Sequence, residues 1–243
     1  LDYERQGKVV LHSQGHVLVH NPKHKTDKTT TLYAAIRMVN TLSNKQQTTL
    51  CTLISMVNST APTTTTSSEQ GNNFHMRIFG AWFRFSNLPS ITKERMHKDS
   101  AEATVNLLAY LDASLDKTST LLQHFDPTAA LSMRHHHHKV DRYLRKAALL
   151  SATTFLAKEE NQNTSTLRIG GLGTSLAVSH GEGTLYHYDN DHYPAHYTVI
   201  FVLGRGATLH LPEVGRGFHL KPGDSIAFSA SQQMHKIEAD PPD

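Results

Sequence analysis

From about residue 167 the chain is a series of closely spaced short apolar runs: TSLAVS (174–179), YTVIFVLG (197–204), ATLHLP (207–212) and DSIAFS (224–229). The breaks between them hold turn chemistry. One is Pro212-Glu213-Val214-Gly215. Another is Lys221-Pro222-Gly223-Asp224, with Pro and Gly where a type II turn needs them. Closely spaced strands joined by such turns predict a sandwich or barrel of the jelly-roll kind, with the preceding helical elements packed on its outside. The expected fold class is α+β.

Upstream, residues 8–20 alternate weakly around Gly15, which predicts a short hairpin. Leu32, Ala35, Ile36 and Val39 fall at i, i+3, i+4 and i+7, and Leu50, Leu53, Ile54 and Val57 repeat the pattern. Both stretches are expected to be amphipathic helix, with a break near Ser43-Asn44. Cys51, inside the second stretch, is expected to be a buried inert thiol. Residues 59–73 have almost no apolar content and are expected to be a linker or disordered loop. RIFGAWFRF (77–85) is a strand candidate that places Trp82 in the core. Asp99 and Glu102 resemble an N-terminal cap, and Leu107, Leu111 and Leu115 continue a helix. Val140, Tyr143, Leu144, Ala147, Ala148 and Ser151 mark another helix, whose solvated face carries Arg142, Arg145 and Lys146. The expected division is 1–58, an N-terminal helical and strand segment; 59–73, the linker; and 74–243, a domain with supporting helices and a β core from about 167.

The 243 residues suffice for one large domain or two small ones. The single cysteine excludes an internal disulfide and a Cys-rich zinc module. No run approaches the roughly 18 apolar residues of a membrane span, and no secretory signal pattern is visible. A net charge of +3 and a pI near 8.9 permit contact with nucleic acid, but no dense Lys/Arg stripe argues for it. With 18 histidines in the chain, only those at an interpretable spacing carry weight.

Such a spacing occurs at His187-Tyr188-Asp189. Period 2 along an extended segment puts both ligand types on one face. His235 follows in QQMHKI, after enough strands and turns for the chain to return beside the first segment. Two imidazoles and one carboxylate on one face of an ion leave three positions open, as in non-haem Fe(II) oxygenases, where cosubstrate and dioxygen must both reach the metal. His187, Asp189 and His235 are therefore the expected metal ligands and catalytic residues. H-x-D alone is a weak motif; its company of strands, turns and a distal His is what gives it meaning.

That company resembles a known family. HYDND, YTVIFVLG, ATLHLPEVG, FHLKPGDSIAFSA and MHKI, within residues 174–237, are similar to the Fe(II)/2-oxoglutarate dioxygenases, and more narrowly to the TET/JBP-like oxygenases of fungi. The matching positions are His187 and Asp189, Leu209-His210-Leu211-Pro212 with Gly215, Leu220 to Asp224 with Phe228, and His235. The resemblance implies a double-stranded β-helix, or cupin-like barrel, that uses Fe(II), 2-oxoglutarate and dioxygen and releases succinate. It implies oxidation of a modified base such as 5-methylcytosine in DNA, hence an intracellular, nuclear location. The base would have to leave the stack, and Tyr186, Tyr188, Tyr193 or Tyr197 could stack on it, though ordinary packing is the default for each. The family holds the distal carboxylate of 2-oxoglutarate with a basic residue, usually Arg, shortly after the second His. Here KIEADPPD follows His235, with no Arg. Lys236, Arg205 and Arg216 are the candidates to substitute, and a closing strand is expected from beyond Asp243 or from residues 8–12.

Two other features were weighed. The four histidines His135 to His138 cannot all converge on one ion, so the run is expected to be incidental. Gly170-Gly171-Leu172-Gly173 lacks the Lys-Ser/Thr pair of a phosphate loop and is expected to be a turn before a strand. Rival functions are a hydroxylase of a protein side chain or small molecule on the same scaffold, and a cupin-like barrel that binds without turnover.

Overall fold

Alternating side chains in the C-terminal strands build two four-stranded sheets that share one apolar layer. A computed structural model describes residues 10–60, 65–66, 75–82, 89–91, 101–150, 169–180, 183–189 and 193–241. Its strands are β1 (Val10–His12), β2 (Val17–His20), β3 (Tyr33–Met38), β4 (Thr65–Thr66), β5 (His75–Trp82), β6 (Ser90–Ile91), β7 (Ser175–His180), β8 (Thr198–Phe201), β9 (Ala207–Leu211), β10 (Arg216–Leu220), β11 (Ser225–Phe228) and β12 (Lys236–Ala239). The helices are α1 (Asn44–Thr60), α2 (Ala101–Ser114), α3 (Asp116–Phe125) and α4 (Pro127–Leu150). The fold is α+β, with every strand pairing antiparallel except β1 with β10.

The first sheet runs β1-β10-β9-β12 and the second β2-β3-β11-β8. Leu209, Leu211, Phe218 and Leu220 of the first pack with Ala35, Val202, Ile226 and Phe228 of the second in one buried cluster. On its other face the second sheet presents Ile36, Met38 and Ala227 to Leu50 and Val57 of α1, Leu107 and Leu111 of α2 and Leu122 of α3. Helices thus lie on one side of the paired sheets, while the outer face of the first sheet is polar, as at His210 and Glu238. A third sheet, β4-β5-β6 with β7 on β5, joins the helical side through Phe79, Leu176 and Val178.

Several expectations change here. The described part of that stretch, residues 10–20, forms two strands but no hairpin: β1 joins the first sheet and β2 the second. Leu32 to Val39 is not helix. Its centre is strand β3, between β2 and β11 and buried along almost its whole length. A strand covered on both faces shows no alternation, so its apolar spacing imitates a helical period. Cys51 is exposed on α1, not buried. TSLAVS pairs with β5 in the third sheet rather than with the strands that follow it. The helix read at Val140 starts much earlier, at Pro127, and includes the four histidines; Tyr143 on it is exposed. Most of 59–73, the side chain of Trp82, and Asp99 lie outside the described residues.

Other local readings hold. α1 starts at the expected break, where Ser43 and Gln46 cap each other: Ser43 N–H donates to Gln46 Oε1 at 2.9 Å, and Gln46 N–H donates to Ser43 Oγ at 3.3 Å. The Lys221–Asp224 turn closes with Asp224 N–H donating to Lys221 O at 2.9 Å, and Gly223 has φ +88, where a side chain would be strained. Gly170 and Gly171 form the turn that leads into β7.

One buried ion pair locks the sheets at the end where this turn lies. Arg37 Nη2 donates to Asp224 Oδ2 at 2.8 Å, with both side chains almost wholly buried. Asp224 also accepts from Asn40 N–H and Lys221 N–H, and Arg37 donates to the Gly15 and Ser13 carbonyls. Removing one partner leaves a buried charge uncompensated, which costs roughly 3–5 kcal/mol, whereas an apolar pair of similar volume restores much of the loss. Arg37→Met should therefore lose about 3–5 kcal/mol in urea unfolding, and Arg37→Met/Asp224→Leu should lose clearly less. Additive losses in the double variant would refute this account of the pair.

Candidate metal centre

The segment Gly183 to Asp189 lies along the free edge of β12. Thr184 N–H donates to Ile237 O at 2.8 Å, and Ile237 N–H donates to Thr184 Oγ1 at 3.1 Å. His187 and His235 exchange both backbone bonds, at 3.0 and 2.9 Å. Asp189 N–H then reaches Ala230 O at 3.1 Å. Gly183 starts the segment at φ +137, and a Cβ there would collide with the Ile237 carbonyl oxygen. Only glycine permits this approach.

Residues directly opposite in an antiparallel pair project to the same face. The rings of His187 and His235 accordingly meet with centroids 4.2 Å apart. Period 2 brings Asp189 to the same side, with Oδ1 3.5 Å from His187 Nε2 and 3.8 Å from His235 Nε2. One ligand atom from each residue lies within 4.8 Å of the others. Among the described residues no second group of three or more His, Cys, Asp or Glu side chains converges in this way.

The tautomers suit a cation. His187 Nδ1 lies 2.8 Å from Leu185 O, and His235 Nδ1 lies 3.1 Å from Gln233 O. A carbonyl only accepts, so each Nδ1 carries a proton, and Nε2 is the ring nitrogen left facing Asp189. Phe228 stands edge-on to His235 at 4.8 Å and forms an apolar wall. His235 is buried, while Asp189 is about one-third exposed, so the site opens on the Asp189 side.

Electrostatics divide the three residues. Burial opposes charge on His187, but the hydrogen bonds to Asp189 and Leu185 and the carboxylate's charge outweigh it and raise its pKa. Burial works against ionised Asp189, and its bond to His187 with the charge of both imidazoles overcomes that, so its pKa falls. Burial dominates at His235 and lowers its pKa despite Asp189. The carboxylate is therefore anionic, and the innermost imidazole neutral, as metal ligation requires.

Glu213 was not singled out from the sequence. Its Oε1 accepts from Tyr188 OH at 2.8 Å and its Oε2 from Met234 N–H at 2.8 Å. It thus ties the residue between His187 and Asp189 to the residue before His235. Sequence reasoning saw only turn chemistry at Pro212–Val214, and an acid in a turn gives no local sign of such a role.

The other candidates take distinct places. Tyr197 is buried; its OH donates to Asp126 Oδ2 at 2.7 Å and accepts from Tyr33 N–H, so it packs the fold and offers no free ring. Burial, then the Asp126 charge, push its pKa well above the usual phenol value. Tyr193 is exposed and stacked on His196 at 5.1 Å, and Tyr188 is exposed. Tyr186 lies under the Lys236 ammonium at 5.6 Å. In the histidine run, His137 Nδ1 contacts Gly173 O at 2.8 Å and His136 packs on Tyr193, so the four rings do not form one site.

No protein-family model matches the chain, and no curated protein matches it. Among solved structures, NgTET1 in complex with 5mC DNA is similar at 9% identity and a TM-score of 0.42, the match covering 95% of this chain and 81% of that one.

Proposed function

We propose that this chain is an Fe(II)- and 2-oxoglutarate-dependent dioxygenase on a double-stranded β-helix, with His187, Asp189 and His235 as the iron ligands. One observation carries the reading. Two imidazole Nε2 atoms, each oriented by a carbonyl on Nδ1, converge with one carboxylate oxygen within 4.8 Å. This donor set fits Fe(II) and leaves three coordination positions for other ligands. When bound, iron with 2-oxoglutarate would use dioxygen to oxidise a C–H bond, with succinate and carbon dioxide as the coproducts.

The chain's own residues have separate tasks in this reading. Asp189 supplies the anionic charge and His187 and His235 the nitrogen donors. Phe228 keeps water from the buried side of His235, and Glu213 holds both ligand-bearing segments in register. A modified base in DNA, such as 5-methylcytosine, is the proposed substrate; it follows from the sequence resemblance of residues 174–237, and a nuclear location goes with it. In this reading the dioxygenase domain takes β1, β2 and β3 from residues 1–58 into its two sheets together with the strands of 74–243.

Anaerobic equilibrium dialysis should show one Fe(II) per chain, and Asp189→Ala should lose that binding while melting near the parent temperature. Retained stoichiometric iron in Asp189→Ala would sink the ligand assignment. With iron loaded, succinate should form faster when methylated duplex DNA is added, and DNA binding should weaken steeply with salt. Equal succinate release with methylated and unmethylated DNA would rule out the base as substrate.

A ligand-free lesion should act through the backbone. Gly183→Ala forces a Cβ against the Ile237 carbonyl and strains a residue at φ +137, at a cost of about 1–3 kcal/mol. Iron affinity should drop at least tenfold although all three donors remain. Unchanged affinity would show that the 183–187 segment does not set the site.

A further inference from the structure

We infer, on the foundation of the dioxygenase reading above, that Arg216, with His12 beside it, holds the distal carboxylate of 2-oxoglutarate. The register of the first sheet carries the inference. His187 is opposite His235; Lys236 is opposite His210, so His235 stands level with Leu211; and Leu211 is opposite Arg216. His187, His235, Leu211 and Arg216 therefore form one row across neighbouring strands. Directly opposed residues share a face, and the face here is the inner one: Leu211, with Phe218 and Leu220 in phase with Arg216, is wholly buried between the sheets. Two strand spacings, about 9.6 Å, separate the Cα atoms of His235 and Arg216. An arginine side chain and a short dicarboxylate bridge that gap.

The surroundings of Arg216 favour an anion. It is half-buried and makes no hydrogen bond or ion pair with any described residue. His12, on the neighbouring strand, stacks on Phe218 at 5.5 Å, and its Nε2 is buried with no partner among the described residues. Burial lowers the His12 pKa, and the charges of Arg216 and Arg37 lower it further, so its ring is a neutral donor next to the guanidinium. A carboxylate would satisfy the fork of Arg216 and the orphan nitrogen of His12 together.

Geometry removes the other cations. Lys236 faces the outer side of β12, where its Nζ pairs with Glu238 Oε1 at 2.8 Å. Arg205 is exposed in the β8–β9 turn, at the end of the sheet away from His235. Arg37 is engaged by Asp224 and two carbonyls.

The test compares two 2-oxo acids on the iron-loaded, anaerobic full chain by calorimetry: 2-oxoglutarate, and 2-oxopentanoate, which has a methyl group in place of the distal carboxylate. The parent should bind 2-oxoglutarate at least tenfold more tightly. Arg216→Gln should abolish that preference by weakening 2-oxoglutarate alone, with 2-oxopentanoate within twofold of the parent. Arg216→Lys, which keeps charge without the fork, should fall between, and it serves if Arg216→Gln does not fold. Lys236→Gln should match the parent. The inference is overturned if Arg216→Gln weakens both acids equally, if it weakens neither, or if Lys236→Gln removes the preference instead. A parent chain that takes up no iron would overturn the dioxygenase reading itself, an outcome distinct from loaded chains that show no preference between the acids.

Discussion

The site depends on two backbone hydrogen bonds, those exchanged between His187 and His235. They fix the segment against β12 in one register. A slip of one residue would turn His187 outward, replace it by Tyr188, and move Asp189 off the inner face. Each bond contributes only about 1 kcal/mol, yet the pair sets the direction of every donor. Gly183 allows the segment to approach, Thr184 anchors it again, and Glu213 fastens the far side. The convergence of three polar side chains is thus held by backbone pairing and not by attraction among the side chains.

The same sandwich carries charge at both ends and almost none between. At one end Arg37 and Asp224 neutralise each other under the Lys221–Asp224 turn. At the other, Asp189 and two imidazoles face one another at 3.5 and 3.8 Å. Leu209, Phe218, Ile226 and Phe228 fill the interval. The closed pair completes its hydrogen bonds internally and is structural. The open triad and Arg216, which bonds to no described residue, are not complete in themselves, and the proposed metal and cosubstrate would complete them.

What could be read from the sequence was what short range determines. The turn at Lys221–Asp224, the strands β8, β9 and β11, the start of α1 and the placing of His187 with Asp189 all follow from spacing over a few residues. The joining of His235 to that pair needed only the count of strands between them. Long-range pairing was not readable. β3 carries a helix-like apolar spacing because burial on both faces erases its alternation, and its neighbours, β2 and β11, come from opposite ends of the chain. β1 and β2 flank Gly15 as a hairpin would, and nothing local assigns them to different sheets. Cys51 follows a buried leucine on α1, and one residue of helical rotation carries it to solvent. Glu213 and Arg216 are ordinary turn-side charges until the register places them.

The central position of β3 also constrains the order of events during synthesis. Arg37 and Asp224 are 187 residues apart, and the strands that bear them are adjacent. β2 and β3 can pair as soon as they leave the ribosome, but Ile36 and Met38 on one face and Ala35 on the other have no complete cover until β11 has been made. Until β11 has been made the nascent chain therefore holds an apolar ribbon with an unsatisfied β3 edge, a template for other chains. Pairings this distant also fold slowly, because the intervening loop must close before the contact repays it. The N-terminal strands β2 and β3 are thus made long before β11 and secured only once it has joined them.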